Sequence, residues 1–268
     1  MIYCYYLSMI GFLLRKTFYD LWDNMLKIVL INLGFITLCT IPIFLPAFVA
    51  ELFESQTPAI IVSAIGIMMC SIYLAAAAHS LKSISDYGSF SFTGFINNFK
   101  IAWPAGIMMG LFLFILFIVF TIVIPFYLRI ESPVGLILGA IIFWTTIFAL
   151  LSFQFYYTVC VRLGTNLKKA IRKSMLISMD NSGFAIFVFL HNTVALVFSV
   201  ILAFLFPGPA GILLFLDEAL RLRILKYDWL EANPEANRKK IPWDVLLMEE
   251  REKTGTRSFR NLIFPWKD

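Results

Sequence analysis

The sequence predicts an all-α protein: a polytopic bundle of six transmembrane helices with cytoplasmic amphipathic elbow helices and a short cytoplasmic C-terminal tail. Three observations predict this fold class. Of the 268 residues, 60% are hydrophobic and 15% are charged, whereas soluble domains average about 45–50% apolar residues. The apolar residues form runs long enough to cross a hydrocarbon core of about 30 Å. Backbone groups in lipid need partners within their own segment, so each run is predicted as a helix.

Six apolar runs are predicted as spans. The sixth is the weakest, because Asp217, Glu218, Arg221 and Arg223 interrupt it. The predicted spans are residues 28–50, 59–78, 104–128, 134–161, 184–206 and 210–230. Residues 1–230 then form the membrane domain, and residues 231–268 form the tail.

Several residues within the spans have predicted structural roles. Asn32 and Gln154 are polar side chains in apolar runs, which predicts hydrogen bonds between helices. Pro42, Pro46 and Pro125 are expected to bend or end their helices. The Pro-Gly-Pro sequence at 207–209 predicts a tight extracytoplasmic turn between the last two spans.

The distribution of Lys and Arg predicts the orientation. The connection between the fourth and fifth spans carries Arg162, Lys168, Lys169, Arg172 and Lys173. The connections on the opposite side carry a single basic residue, Arg129, and the first of them is acidic. Cytoplasmic loops are enriched in Lys and Arg, so both termini are predicted to be cytoplasmic.

Three segments on the predicted cytoplasmic side have the 3.6-residue period of amphipathic helices. They are FLLRKTFYDLWDNML (12–26), SFSFTGFINNFKIAW (89–103) and GTNLKKAIRKSMLISMDNSG (164–183). Ser91 and Thr165 are predicted N-caps. In the third segment, Leu167, Ile171 and Met175 share one side. The other side carries Lys168, Lys169, Arg172 and Lys173. Such a surface is either a lipid-contacting elbow or a docking site for a cytoplasmic partner or anionic lipid.

No sequence motif for catalysis or metal binding is present. The four cysteines, Cys4, Cys39, Cys70 and Cys160, lack CxxC spacing, and the two histidines belong to different segments. There is no P-loop, nucleophile elbow or HExxH motif. We therefore expect no enzyme activity, no cofactor and no metal. The sequence also lacks the basic, aromatic-interleaved platform of nucleic-acid binding proteins.

Ionisable residues inside predicted spans are costly in lipid and mark candidate sites. Asp217 and Glu218 would lie near mid-depth in the sixth span, with Arg221 within reach of both along the helix. His191, in the fifth span, completes the candidate intramembrane polar site. These residues could neutralise one another, form a proton, cation or substrate site, or contact another subunit.

The tail, KKIPWDVLLMEEREKTGTRSFRNLIFPWKD (239–268), contains two Pro-Trp pairs. A short helix is predicted from Pro242 to Gly255. Trp243, Phe264 and Trp266 are candidate anchors. They either clamp the tail onto the cytoplasmic face of the bundle or dock a partner.

Three stretches resemble the YesL-like family of bacterial polytopic membrane proteins. They are LINLGFITLCTIPIFLPA (30–47), FTGFINNFKIAWPAGIMMG (92–110) and NLKKAIRKSMLISM (166–179). Asn32, Pro42 and Pro46 match the family's Asn-bearing first span with its proline kink. The resemblance covers roughly residues 12–228, although Leu45 stands where many members carry glycine.

The resemblance implies a multi-pass protein of the bacterial inner (cytoplasmic) membrane associated with carbohydrate uptake systems. It predicts a non-catalytic accessory or assembly subunit, with a multi-component membrane transporter as partner. The alternative is a transporter or channel with a polar site around Asp217 and Glu218. Convergence of the four polar residues on one cavity would favour transport, and local pairing would favour the accessory role.

Overall fold

The computed structural model describes residues 2–164, 166–238 and 240–255, with side chains from Met9 onward. This part of the chain is helical and contains no β-strand. The helices are α1 (Ile2–Asp23), α2 (Met25–Leu52), α3 (Gln56–Ser85), α4 (Phe92–Ile118), α5 (Ile124–Leu128), α6 (Pro133–Phe153), α7 (Tyr156–Leu163), α8 (Leu167–Asp180), α9 (Ser182–Ile201), α10 (Gly208–Ala232), α11 (Trp243–Leu246) and α12 (Met248–Thr254).

Five helical segments are long and apolar enough to cross a membrane. They are Met25–Leu52, Gln56–Ser85, Phe92–Leu128, Pro133–Leu163 and Ser182–Ile201. They correspond in order to the first five predicted spans, and they define the chain as an integral membrane protein with an all-helical fold.

The predicted sixth span is not confirmed. It lies in α10, whose sequence holds charged residues from its middle onward. These are Asp217, Glu218, Arg221, Arg223, Lys226, Asp228 and Glu231. With this many charges, α10 is not among the membrane-length apolar helices.

Only the third predicted elbow is a separate helix, α8. The first elbow corresponds mainly to the second half of α1, which only Asn24 separates from α2. The second elbow is continuous with the third span, because α4 begins at Phe92 and passes through Pro104 without a break. An amphipathic helix and a span share the same 3.6-residue period, so the change in composition at residue 103 does not itself end a helix.

The predicted caps are partly confirmed. Ser91 Oγ accepts a hydrogen bond from Gly94 N at 3.3 Å and so caps α4. Thr165 lies outside the described residues. The N-cap of α8 is Asn166, whose Oδ1 accepts from Lys168 N at 2.9 Å.

The chain divides into two compact units. We call residues 24–220 the membrane unit, since they include the five membrane-length helices. We call residues 1–23 together with 221–268 the terminal unit. Helix α10 begins in the membrane unit and ends in the terminal unit. The predicted boundary at residue 230 stays a prediction.

Small residues allow close helix packing in the membrane unit. Helix α3 packs between α2 and α4. A Cβ on Gly66 would lie 2.7 Å from Pro42 Cβ, and one on Gly106 would overlap Ile72. Since lipid provides no hydrophobic drive for helix association, such contacts between small residues and their neighbours hold membrane helices together.

The prolines within the membrane-length segments do not end the helices that contain them. Pro42 and Pro46 lie inside α2, which continues through both. Upstream of Pro125 the backbone widens into a π-helical turn, Val119–Val123. Proline has no N–H to donate, and a wider turn is one of the ways in which a helix accommodates the missing bond.

Asn32 caps the N-terminus of α10 in the interior of the membrane unit. Its side chain is 0% exposed. Nδ2 donates to Leu205 O at 3.0 Å and to Pro207 O at 2.8 Å, and Oδ1 accepts from Ala210 N at 2.9 Å. Gly208 has a φ of 61°, and a Cβ there would overlap the Asn32 side chain. The predicted hydrogen bonding of Asn32 between helices is therefore confirmed.

The position of Asn32 shows that α10 begins partway through the bundle. Cys39 Sγ lies 3.5 Å from Cys70 Sγ across the antiparallel helices α2 and α3. Asn32 precedes Cys39 by about two turns, so it is level with a point on α3 about 12 Å before Ser85, where α3 ends. The turn at 207–209, predicted at the extracytoplasmic surface, instead lies inside the bundle beside Asn32.

We expect Asn32→Leu to lower the free energy of unfolding by roughly 2 kcal/mol, because it leaves two carbonyls and one N–H without a partner in an apolar interior. Unfolding can be followed in mixed detergent micelles with increasing dodecyl sulfate. Thr37→Val is the control, since the exposed Thr37 hydroxyl bonds only to Leu33 O of its own helix. An equal change for both variants would contradict the capping role.

Candidate functional site: a buried ion-pair cluster

The strongest polar feature of the membrane unit is an ion-pair cluster around Arg162. Arg162 Nε donates to Asp217 Oδ1 at 2.8 Å, and Nη2 donates to Asp217 Oδ2 at 2.5 Å. Nη1 donates to Asp86 Oδ1 at 3.1 Å, and Nη2 also donates to Ser85 Oγ at 2.9 Å. The guanidinium thus joins the ends of α3 and α7 to α10.

The geometry is that of a strong charge-assisted contact. The two-pronged contact matches the planar guanidinium fork to both carboxylate oxygens. Asp217 is 1% exposed, whereas the Asp86 side chain is 38% exposed. Removing a carboxylate from water costs a large amount of free energy unless the charge is paired. The pairing with Arg162 therefore matters more for the stability of the buried Asp217 carboxylate than for that of the exposed Asp86 carboxylate.

Local sequence explains how Arg162 reaches this place. Helix α6 ends at Phe153, and α7 starts at Tyr156 with Tyr156, Tyr157, Thr158 and Val159 buried. At this break, Gln154 Nε2 donates to Leu151 O of α6 at 2.9 Å and to Ala185 O of α9 at 3.0 Å. The predicted interhelical role of Gln154 is confirmed. Arg162 lies in the last turn of α7.

The cluster lies at one end of the bundle and not at mid-depth. Asp217 follows the start of α10 at Gly208 by nine residues, or about 14 Å of helix. That distance carries it from the level of Asn32 to the end of α3, where it meets Arg162 and Ser85. The prediction of Asp217 and Glu218 near mid-depth assumed that α10 begins at the opposite membrane surface.

The structure gives the predicted polar residues different partners. Arg162 binds Asp217, for which Arg221 was the expected partner. Arg221 belongs to the terminal unit, where its Nη2 lies 2.6 Å from Glu250 Oε1. Glu218, next to Asp217, is also buried. Helical spacing predicts neighbours within one helix, but it carries no information about partners on other helices.

His191 occupies another side of α10. Its ring stacks on Phe215, with centroids 3.7 Å apart and an interplanar angle of 22°. Phe215 and Asp217 are two residues apart, which is about 200° around a helix. His191 and Arg162 therefore approach α10 from opposite sides.

Sequence reasoning missed Arg162, Asp86 and Ser85 as members of this cluster. Arg162 was counted only as one of several basic residues that set orientation. Its position in the last turn of an otherwise apolar segment was the available indication, because an Arg there either reaches the headgroups or binds a buried acid.

The basic helix α8 packs on the bundle mainly through small residues. Its buried residues are Ala170, Ser174, Ile177 and Ser178. Ser178 Oγ donates to Leu151 O at 2.8 Å, which anchors α8 to α6. The predicted apolar side, Leu167, Ile171 and Met175, is only half-buried. Small residues permit closer packing of α8 against the bundle than large ones would, which explains why this side of α8 is buried. Lys168, Lys169 and Arg172 are exposed, and Lys173 is half-buried.

The terminal unit contains the first Pro-Trp pair of the tail. Helices α11 and α12 pack against α1. Trp243 is 2% exposed, and the Arg223 guanidinium lies 5.2 Å from the centre of its ring. Trp243 is therefore part of the interior of the terminal unit, and its role as a clamp or a docking anchor stays a prediction. Phe264 and Trp266 lie outside the described residues.

The tail helix is divided where one helix was predicted. The helix is interrupted at Leu247, between α11 and α12, and α12 is followed by Gly255, which has a φ of 69°.

Two adjacent glutamates on α12 differ in environment. Glu250 is buried and paired with Arg221, whereas Glu249 is exposed. A hydrogen bond and the charge of Lys253 lower the pKa of Glu249.

Within the described residues, no group of three or more His, Cys, Asp or Glu side chains is arranged to hold a metal ion. No family model, curated protein or solved structure matches this chain. The fold and site together define an integral membrane protein with a buried Arg-Asp pair at one end of its bundle.

We expect Asp217→Asn to lower the free energy of unfolding by about 3 kcal/mol, because it leaves the buried guanidinium of Arg162 without its counter-charge. Asp86→Asn should cost less than about 1 kcal/mol, since that carboxylate is partly solvated. The double replacement Arg162→Met with Asp217→Leu should cost less than Asp217→Asn alone. Unfolding in mixed micelles measures all three, and equal losses at the two aspartates would contradict this hierarchy.

Trp243→Ala should lower the local stability of the terminal unit by about 3 kcal/mol, through loss of a large buried side chain. Amide hydrogens of α1 and α12 should then exchange roughly a hundredfold faster, as measured by mass spectrometry. Val245→Ala is the matched control on the same helix, because Val245 is 71% exposed. Unchanged exchange in α1 after Trp243→Ala would show that Trp243 does not hold this unit together.

Proposed function

We propose that this protein is a non-catalytic accessory or assembly subunit of a membrane transport system. The observation that carries the proposal is the local pairing of its polar side chains. Arg162 binds Asp217, Arg221 binds Glu250, and His191 stacks on Phe215. These contacts have the character of structural bonds between helices.

A transport site needs charged groups that can exchange a protein partner for a substrate. In Arg162, Nε, Nη1 and Nη2 all donate to protein oxygens, and these contacts connect three helices. A substrate anion would have to displace a buried carboxylate held by two hydrogen bonds. An accessory subunit has no such requirement, and a rigid ion pair suits a scaffold.

The resemblance to the YesL-like family supports the choice of system. Asn32 is one of the residues that carry it, and its three hydrogen bonds explain why such a span would contain an asparagine. From this resemblance we take the system to be a multi-component carbohydrate transporter of the bacterial inner membrane.

The charge distribution supports cytoplasmic termini. Short connections make successive spans alternate in direction, so α3, α7 and α8 end or lie at one end of the bundle. Basic residues at or near this end are Lys27, Lys82, Lys100, Arg162, Lys168, Lys169, Arg172 and Lys173. The opposite end carries Arg129 with Glu51, Glu54 and Glu131. The positive-inside rule makes the first end cytoplasmic.

One observation favours the alternative, a transporter or channel with a polar site around Asp217 and Glu218. Helix α10 begins inside the bundle and carries both acids, one of them paired with Arg162. Discontinuous helices that start within the membrane are typical of secondary transporters.

Affinity purification of the full chain from its native membrane in mild detergent tests the proposal. We expect a membrane-transport subunit to co-purify in a fixed stoichiometry. The purified chain alone, in proteoliposomes with an internal pH dye, should show no sugar- or cation-driven flux above that of empty liposomes.

A saturable flux would overturn the accessory role and favour the alternative. In that case Asp217→Asn should abolish the flux, while Glu131→Gln, which removes an exposed acid at the opposite end, should retain it. Purification of the chain without any stoichiometric membrane partner would also count against the proposal.

A further inference from the structure

Helix α8 is held against α6 and α7 by its connections and its packing. It begins four residues after α7 ends at Leu163, and only Asn181 separates it from α9. Both neighbours belong to membrane-length segments, Pro133–Leu163 and Ser182–Ile201. Ser178 Oγ, near the end of α8, donates to Leu151 O of α6, and Leu151 precedes Arg162 by about 16 Å of helix. Helix α8 therefore runs back along α7 and α6, with its first half nearer the bundle end that holds Arg162 and its second half nearer the middle of that membrane-length segment.

The outward face of α8 combines positive charge with exposed apolar side chains. Lys169, Arg172, Leu176 and Met179 follow one another at intervals of three or four residues, so they form one stripe, and all four are exposed. Lys168 is exposed beside this stripe. The first half of the stripe is therefore basic, and the second half is apolar.

The basic residues of α8 have no acidic partner in the described part of the chain. No carboxylate there forms a salt bridge with Lys168, Lys169, Arg172 or Lys173. The first turn of α8 contains no acidic residue, although the positive end of a helix favours acids and disfavours lysines. These charges therefore do not stabilise the fold of α8, which leaves them available to a negatively charged ligand.

We propose that the outward stripe of α8 binds the headgroups of anionic phospholipids. Lys169 and Arg172 bind the phosphate groups, while Leu176 and Met179 contact the upper part of the acyl chains. A lipid fits this face better than an acidic protein does, because the exposed apolar residues lie in the half of α8 that packs on α6 beside Leu151 and leads into α9, and both α6 and α9 belong to membrane-length segments. The inference goes beyond the proposed accessory function and does not depend on it.

Native mass spectrometry of the full chain in detergent, with added phosphatidylglycerol or phosphatidylcholine, tests the proposal. Each basic residue close to an anionic surface contributes roughly fivefold to binding. The double variant Lys169→Gln with Arg172→Gln should therefore bind phosphatidylglycerol on the order of tenfold more weakly or worse, and bind phosphatidylcholine as before. Increasing ionic strength should weaken phosphatidylglycerol binding to the unaltered protein.

The control is Lys100→Gln with Arg129→Gln, which removes two exposed basic residues outside α8 and so causes the same loss of net charge. It should retain phosphatidylglycerol binding. Single variants at Lys169 and Arg172, each about fivefold weaker, keep the test valid if the double variant is poorly folded.

Four results would overturn the proposal. Unchanged phosphatidylglycerol binding by the α8 variant would exclude the site, and an equal loss in the control would show a dependence on net charge alone. Displacement of the lipid by inorganic phosphate at millimolar concentration would indicate a site for free phosphate. Loss of a bound acidic protein from the α8 variant, with lipid binding unchanged, would assign the face to a protein partner.

Discussion

The structure of the membrane unit depends on the hydrogen bonds that allow α10 to begin inside an apolar bundle. The first N–H groups of a helix have no partner within it, and lipid or apolar side chains offer none. Asn32 meets this need by accepting from Ala210 N and donating to the carbonyls of Leu205 and Pro207. Ser199 Oγ accepts from Gly208 N at 3.0 Å, so the turn is held from α9 as well as from α2.

The position of this cap sets the place of the charged residues. From Gly208, about 14 Å of helix brings Asp217 to the end of α3, where Arg162 can bind it and Asp86 together. Had α10 begun at the far surface, the same acid would lie deep in the bundle, where an ion pair is hardest to hydrate. Arg162 lies at the matching height in the last turn of α7, which follows the break where Gln154 joins α6 to α9. Asn32 and Arg162 thus act on the two ends of one short buried segment, which explains how a strongly charged helix is kept within an apolar fold.

The sequence predicted features whose cause is local. Long apolar runs predicted the five membrane-length helices, and isolated amides predicted the interhelical hydrogen bonds of Asn32 and Gln154. Predictions that depended on distant contacts were less successful. Helical spacing indicated Arg221 as the partner of Asp217, but the ion pair joins residues on helices far apart in the chain. The sequence also did not indicate which side of α8 packs on the bundle; Ala170 and Ser174 do so, because small residues allow α8 to approach its neighbours closely.

Composition and hydrophobic period by themselves determined that this chain is helical and belongs in a membrane, because only helices satisfy their own backbone within long apolar runs. They also indicated which polar residues, among them Asn32, Gln154 and Asp217, lie within apolar runs and therefore need partners. Only the tertiary structure decided that α10 begins beside Asn32, that Asp217 lies at one end of the bundle with Arg162, and that Trp243 is buried with Arg223. The physical reason is that the depth of a residue in the bundle depends on where its helix begins, and that point is set by hydrogen bonds to residues far away in the chain.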